Sequence, residues 1–257
     1  MRKLIISFSG GKDSMASIIL LRKHYDALVN EGIIRADDEI VIVFVEVMYD
    51  LSRNISAHNP ETMDFIYKCF ALFEKWGYRV EHLRSKNKDF ITLFNHRLTR
   101  SSVPARIGKR FGFPLSTCYL RREAKIKVIE QWKKSNVHDD DLNVLGIAID
   151  EPRRLESLHK QSNTISLLEH FGYTEEMAYK LCEEHNLLSP QYFLGSSQKR
   201  DGCWCCPWAK LPEYQAIKER YPEVWSEYVA LQDLPDLAFP KHNVYSKLSL
   251  REIDKLI

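Results

Sequence analysis

Ser9, Gly10, Gly11, Lys12, Asp13 and Ser14 (SGGKDS) put two glycines, two hydroxyls, an ammonium and a carboxylate within six residues. That combination suits the binding of a phosphate. Glycine lets the main chain approach an anion closely, and the unpaired N–H groups of a first helical turn point at it. Ser9, Lys12 and Ser14 add hydroxyl donors and one positive charge. The flanks agree. Leu4 to Phe8 (LIISF) reads as a buried strand, and Met15, Ile18, Leu21, Tyr25 and Leu28 recur on one helical face. The spacing is not that of the GxxxxGK[ST] loop, because a single residue separates the glycine pair from Asp13. A serine- and glycine-rich turn with an N-cap is the structural alternative. Strand, turn and helix in succession favour the anion site.

Cysteine forms the second constellation, at positions 69, 118, 182, 203, 205 and 206. Cys203 and Cys206 have C-x₂-C spacing in a glycine- and proline-containing turn, Asp201 to Pro207 (DGCWCCP). Such spacing lets two thiolates meet one metal or cluster, and it also serves redox dithiols. One pair needs two more ligands, for which Cys118 and Cys182 are the remaining candidates. Cys69 lies in a helical pattern with Phe65, Phe70 and Phe73 and reads as core packing. Trp204 and Trp208 flank the turn and would shield it from water. The nine histidines show no ligand spacing.

These groups need a scaffold, and the pattern supplies one. Ile40 to Val47 (IVIVFVEV) is a β-branched run expected to be a buried parallel strand. A helix is expected over 61–76, closed by Gly77, then strands over 78–83 and 143–149. A short helix is expected around 90–98. Leu120, Ala124, Val128 and Trp132 recur every four residues and mark another helix. Further helices are expected at 164–170, 174–185, 211–230 and 249–257, and the acidic triplet Asp139 to Asp141 reads as a charged turn. Repeated β-α units argue for a doubly wound parallel α/β sheet with ligands beyond the carboxyl ends of its strands. The chain changes character near Asn186. The expected organisation is a nucleotide-binding α/β domain over 1–185 and a cysteine-containing, helical C-terminal extension over 186–257.

Composition adds bounds. The 257 residues can bury a full core, and 44% hydrophobic with 28% charged residues is ordinary for a globular protein. No run reaches the length of a membrane span and the chain opens on a strand, so a cytoplasmic location is the default expectation. The net charge of +2 is uninformative, but its distribution is not. Arg97, Arg100, Arg106, Lys109, Arg110, Arg121, Arg122, Lys125, Lys127, Lys133 and Lys134 face only Glu123 and Glu130 over the same stretch. That density suits a polyanion groove, or alternatively a solvated helix face and loop. Asp150 and Glu151 close the expected fourth strand on the ligand-bearing edge. They would position a ribose, metal or water, or else cap the next helix; Arg153 would suit a phosphate or carboxylate.

The SGGKDS string resembles the pyrophosphate-binding loop of the PP-loop ATP pyrophosphatases and the phosphoadenosine phosphosulfate (PAPS) reductase superfamily. Gly146 to Arg154 (GIAIDEPRR), Cys182 to Pro190 (CEEHNLLSP) and Gly202 to Pro207 (GCWCCP) are similar to three successive motifs of PAPS-reductase-family proteins. Cys118 with Arg121 and Arg122 resembles that family's cysteine before a basic helix start. Together these motifs span most of 4–208. The resemblance implies a HUP, or adenine nucleotide alpha-hydrolase-like, fold. It implies an adenine nucleotide with Mg²⁺ at 9–14, with Asp13 holding the ion directly or through water. It also implies Cys118, Cys182, Cys203 and Cys206 as ligands of a [4Fe-4S] cluster, with Cys205 a neighbour; a structural Zn²⁺ suits four thiolates equally.

Assimilatory reductases of this superfamily carry a nucleophilic cysteine in a C-terminal tail, whereas no cysteine follows Cys206 here. The intact loop is also the version tied to ATP cleavage. Both features point to ATP pyrophosphatase chemistry, in which a substrate oxygen attacks the α-phosphate and pyrophosphate leaves. A sulfur nucleophile then displaces AMP. Lys12 and Asp13 are the catalytic candidates, and Arg121 and Arg122 the acceptor-binding ones. The acceptor would be nucleic acid or a small anion, and the sulfur donor a protein such as a cysteine desulfurase. The alternatives are a PAPS or adenylyl-sulfate reductase, and a non-catalytic nucleotide-binding module with structural zinc.

Overall fold

Nearly unbroken apolar runs build the centre of the molecule. In the computed structural model, which describes residues 2–114, 118–193, 202–243 and 247–257, the strands are β1 (Lys3–Phe8), β2 (Glu39–Glu46), β3 (Met48–Asp50), β4 (Ile55–Ser56), β5 (Arg79–Arg84), β6 (Arg110–Gly112), β7 (Leu142–Val144), β8 (Thr164–Ile165) and β9 (Leu237–Phe239). The helices are α1 (Lys12–Lys23), α2 (Tyr25–Asn30), α3 (Pro60–Lys75), α4 (Phe90–Asn95), α5 (Lys127–Asn136), α6 (Pro152–Leu158), α7 (Leu167–His170), α8 (Glu175–Glu184), α9 (Leu211–Arg220), α10 (Pro222–Ala230) and α11 (Leu250–Leu256). No helix among the described residues is long and apolar enough to cross a membrane.

The chain forms two compact units, each drawn from three stretches. The first comprises 1–45, 61–83 and 131–190, and the second 46–60, 84–130 and 191–257.

The first unit is an α/β layer structure flanked by helices. Its five-stranded sheet has the order β5-β2-β1-β7-β8. β1 pairs in parallel with β2, Phe8 opposite Phe44, and with β7, Ile6 opposite Val144. The order runs outward from β1 in both directions, so the crevice beyond β1 and β7 is the topological switch point where such sheets take ligands. On one side Phe8 and Phe44 meet Phe70 and Phe73 of α3, the closest ring pair being Phe8 and Phe73 at 5.2 Å. Cys69 is buried in this packing, as its helical position implied. Helix α1 is buried from Met15 through Leu21 and packs on α7 and α8.

Several local expectations change. The first helix breaks at His24 into α1 and α2. The strand expected over 143–149 ends at Val144, and the helix expected from 164 opens instead as strand β8, parallel to β7. Asp141 is not a solvated turn acid. It is buried, and its carboxylate accepts from the main-chain N–H groups of Lys3 at 2.6 Å and His138 at 2.9 Å, fixing the start of β1.

The second unit has an aromatic core. Tyr49, Phe90, Phe94, Phe113, Tyr119, Trp204, Tyr214, Trp225 and Tyr228 are all buried in one cluster with Leu250 and Ile253 of α11. The helix expected from Leu120 begins as a π-helical stretch, Arg121–Ile126, before α5. Wider turns of this kind recur at functional sites.

Candidate functional site

The SGGKDS loop connects the carboxyl end of β1 to α1. Gly10 has φ +85°, a left-handed conformation that favours glycine. Gly11 is the N-cap of α1, with extended dihedrals and no side-chain cap hydrogen bond, so the first turn of the helix opens directly from the glycine pair. The loop is stiffened from within. The Ser14 hydroxyl accepts from the Ser9 N–H at 3.2 Å, shares a hydrogen bond with the Ser9 hydroxyl at 3.1 Å and donates to the Gly11 carbonyl at 2.9 Å. Gly11 N–H donates to the Ser9 hydroxyl at 3.2 Å. Ser9 and Ser14 therefore hold the loop open for the backbone.

Lys12 and Asp13 supply its charge. The Lys12 ammonium donates to both Asp13 carboxylate oxygens, at 2.8 and 3.0 Å, and Glu175 of α8 stands 3.5 Å away. Burial pushes the Asp13 carboxyl above its ordinary value. The Lys12 hydrogen bonds pull it back, and Glu175 and Glu151 raise it again. Glu175 belongs to this site although nothing in the sequence pattern marks it.

The loop after β7 completes this edge. A Cβ on Gly146 would fall 2.6 Å from the Asp13 carbonyl carbon and 2.7 Å from the Ser14 nitrogen, so glycine is what lets this loop lie against the start of α1. Asp150 accepts from the N–H of Glu175 at 3.0 Å and helps cap α8. Glu151 accepts from the Ala148 N–H at 3.2 Å and pairs with Arg154. The two acids thus organise the edge, Asp150 capping a later helix than the expected one. Arg153 is exposed. Cys182, on α8, is buried in this same unit. Its thiol donates to the Lys12 carbonyl at 3.3 Å, and burial pushes its pKa up to about 12.

Cys118, Cys203, Cys205 and Cys206 belong to the second unit. The Cys203–Cys206 turn closes through the Cys206 N–H on the Cys203 carbonyl at 3.1 Å. It is anchored by the Trp204 N–H on the Ala57 carbonyl at 3.0 Å and by the Trp204 indole on the Ser56 carbonyl at 3.3 Å. Trp204 is buried against Tyr49, as a shield would be. Cys118 sits at a helix start and receives the N–H groups of Leu120 and Arg121, yet burial outweighs them and raises its thiol. Cys205 is fully buried; burial raises it most, and Cys203, Cys118 and Cys206 are close enough to raise it further. All six cysteines are thiols. Among the described residues no three Cys, His, Asp or Glu side chains already stand as a metal site. The donor chemistry of the turn and Cys118, soft and partly buried sulfurs beside an aromatic core, does suit a thiolate-held metal or cluster.

Most of the basic stretch lies in two parts of the second unit, while Lys133 and Lys134 of α5 fall in the first. Residues 96–111 form a hairpin: Leu98 N–H donates to the Lys109 carbonyl at 2.9 Å and Phe111 N–H to the His96 carbonyl at 2.8 Å. At its base Arg97 and Arg110 pair with Asp236, and Arg106 lies over the Phe239 ring at 4.6 Å. Its outer part exposes Val103, Ile107, Arg100 and Lys109. On the π-helical stretch Arg121 is exposed and Arg122 pairs with Glu123 at 2.8 Å.

The first unit thus has the form of a phosphate cradle on an α/β sheet, and the second unit bears a cysteine turn. No protein-family model matches the chain. It is similar to two uncharacterized proteins of Methanocaldococcus jannaschii. One is 22% identical over 238 residues, covering 88% of this chain and 41% of the relative. The other is 24% identical over 228 residues, covering 87% and 46%. The chain therefore spans less than half the length of these curated relatives. Among solved structures, the U34-tRNA thiolase NcsA from Methanococcus maripaludis with its [4Fe-4S] cluster aligns over 97% of this chain and 78% of that one, at 12% identity and a TM-score of 0.41. At those values the likeness carries no functional weight.

Proposed function

We propose that the chain binds ATP at Ser9–Ser14 and cleaves it at the α-phosphate, activating an acceptor for sulfur transfer. The observation that carries this reading is the uncapped start of α1 behind a left-handed Gly10, with Lys12 beside it. Backbone N–H groups and Lys12 stabilise charge on the departing pyrophosphate. Asp13 would hold Mg²⁺, directly or through water, and the ion when bound would supply positive charge against the phosphates. Cys118, Cys182, Cys203 and Cys206 would hold a [4Fe-4S] cluster, which when bound supplies sulfur or electron chemistry. The test of the reading is release of pyrophosphate from ATP by anaerobically prepared protein supplied with sulfide and nucleic acid. Absence of pyrophosphate, with sulfite formed from a phosphosulfate instead, would favour a reductase.

Metal content tests the cysteine set. Alanine at Cys118, Cys182, Cys203 or Cys206 is expected to abolish bound iron, while Cys69→Ala and Cys205→Ala retain it. Iron and zinc per protein, measured after anaerobic purification, decide this. Full retention in the four single variants would remove the cluster from the account.

The acceptor in this reading is a nucleic acid, supported by the exposed outer part of the basic hairpin. Affinity for DNA or RNA should fall steeply with salt, because each neutralised phosphate releases counterions. Arg97, Arg106 and Arg110 already have partners within the protein, so Arg100 and Lys109 should dominate the hairpin's contribution. Changing both to Ala should reduce the log–log salt slope by about 2 and leave ATP affinity unchanged. An anisotropy titration showing no binding at low salt would instead favour a small anionic acceptor.

A further inference from the structure

Helix α8 grips Lys12 at two points. Glu175, its first residue, stands 3.5 Å from the Lys12 ammonium, and Cys182, seven residues on, donates to the Lys12 carbonyl at 3.3 Å. Residues seven apart lie near one face of a helix, so a single face of α8 meets both ends of this lysine. The Thr174 side chain caps the helix on the Met177 N–H at 3.2 Å, and Asp150 holds the Glu175 N–H at 3.0 Å. The carboxylates nearby differ in what they do. Asp13 is bonded to Lys12 along the chain, and Glu151 is engaged by the Ala148 N–H and Arg154. Glu175 reaches Lys12 from another element, with its side chain 46% exposed.

Resting on the reading of 9–14 as an ATP-cleaving loop, we infer that Glu175 is a positioning residue that competes with pyrophosphate for Lys12. When the phosphates are bound, the ammonium turns to them and the Glu175 carboxylate is left as an unfavourable like charge. When pyrophosphate departs, Glu175 recovers the ammonium. It therefore weakens the grip on the leaving group and hastens its release.

The sign of the effect separates this role from a structural one. Glu175→Gln keeps size and polarity and removes the charge. It is expected to bind pyrophosphate and ATP about threefold more tightly, the scale of one exposed ion pair. AMP, which lacks the β- and γ-phosphates, should bind as before. Glu175→Ala should shift both in the same direction, and pyrophosphate should inhibit both variants at lower concentrations. Calorimetric titration of intact wild-type and variant chains with ATP, pyrophosphate and AMP measures all of this. Unchanged or weaker pyrophosphate binding in both variants, with wild type binding normally, would overturn the inference alone. Failure of wild type to bind either ATP or pyrophosphate would overturn the loop's reading and this inference with it.

Discussion

Lys12→Ala is expected to weaken ATP binding by roughly ten- to a hundredfold, the worth of a charge-assisted hydrogen bond to phosphate. The fold should survive, because the apolar residues of α1 make the core, whereas the Lys12 ammonium pairs with the carboxylates of Asp13 and Glu175. The variant also strips Asp13 of the partner that offsets its burial, so the Asp13 carboxyl should titrate still higher. A stability curve like wild type's, with calorimetric affinity reduced by at least tenfold, is the predicted pair of results. Equal affinity in a folded variant would move the phosphate elsewhere.

Gly146→Ala is expected to damage both the fold of the first unit and its phosphate loop. Its Cβ would meet main-chain atoms of Asp13 and Ser14 at 2.6 to 2.8 Å, and backbone cannot step aside as a flexible side chain can. Either the loop after β7 or the start of α1 must shift. Overpacking of this kind costs about 1–3 kcal/mol, and it acts directly on the N–H groups that would cradle a phosphate. The melting temperature should fall by several degrees and ATP affinity should fall with it. A Gly172→Ala control addresses the backbone alone, since Gly172 has φ +70° and a methyl added there would meet open space. It should destabilise without touching ATP affinity.

The contrast between those two glycines shows where the sequence is informative. The strand, glycine turn and helix of residues 3–23 were legible because their signals are local: an apolar run, two adjacent glycines and a helical period. The parallel α/β sheet was legible for the same reason, from β-branched runs separated by helical stretches. Gly146 was legible only as part of a resembling motif. Its steric reason is a contact with residues far away in the chain, which no period records. Glu175 was invisible on the same ground, being one surface acid among many until α8 packs on α1. The two-residue strand β8 is too short to carry alternation, and the apolar residues after it belong to a helix. The four-residue recurrence from Leu120 to Trp132 cannot distinguish an α-turn from the wider turn over Arg121–Ile126. The basic stretch looked uniform because pairing with Asp236 and stacking on Phe239 join positions more than a hundred residues apart.

The central claim is that ATP is cut between its α- and β-phosphates. Anaerobic protein with Mg²⁺, sulfide, nucleic acid and ATP labelled at the α-phosphate should yield labelled AMP, free or first linked to the acceptor. Pyrophosphate should appear in equal amount, and both products should vanish in Lys12→Ala. Labelled ADP with inorganic phosphate, or bound ATP that is never cleaved, would contradict the account.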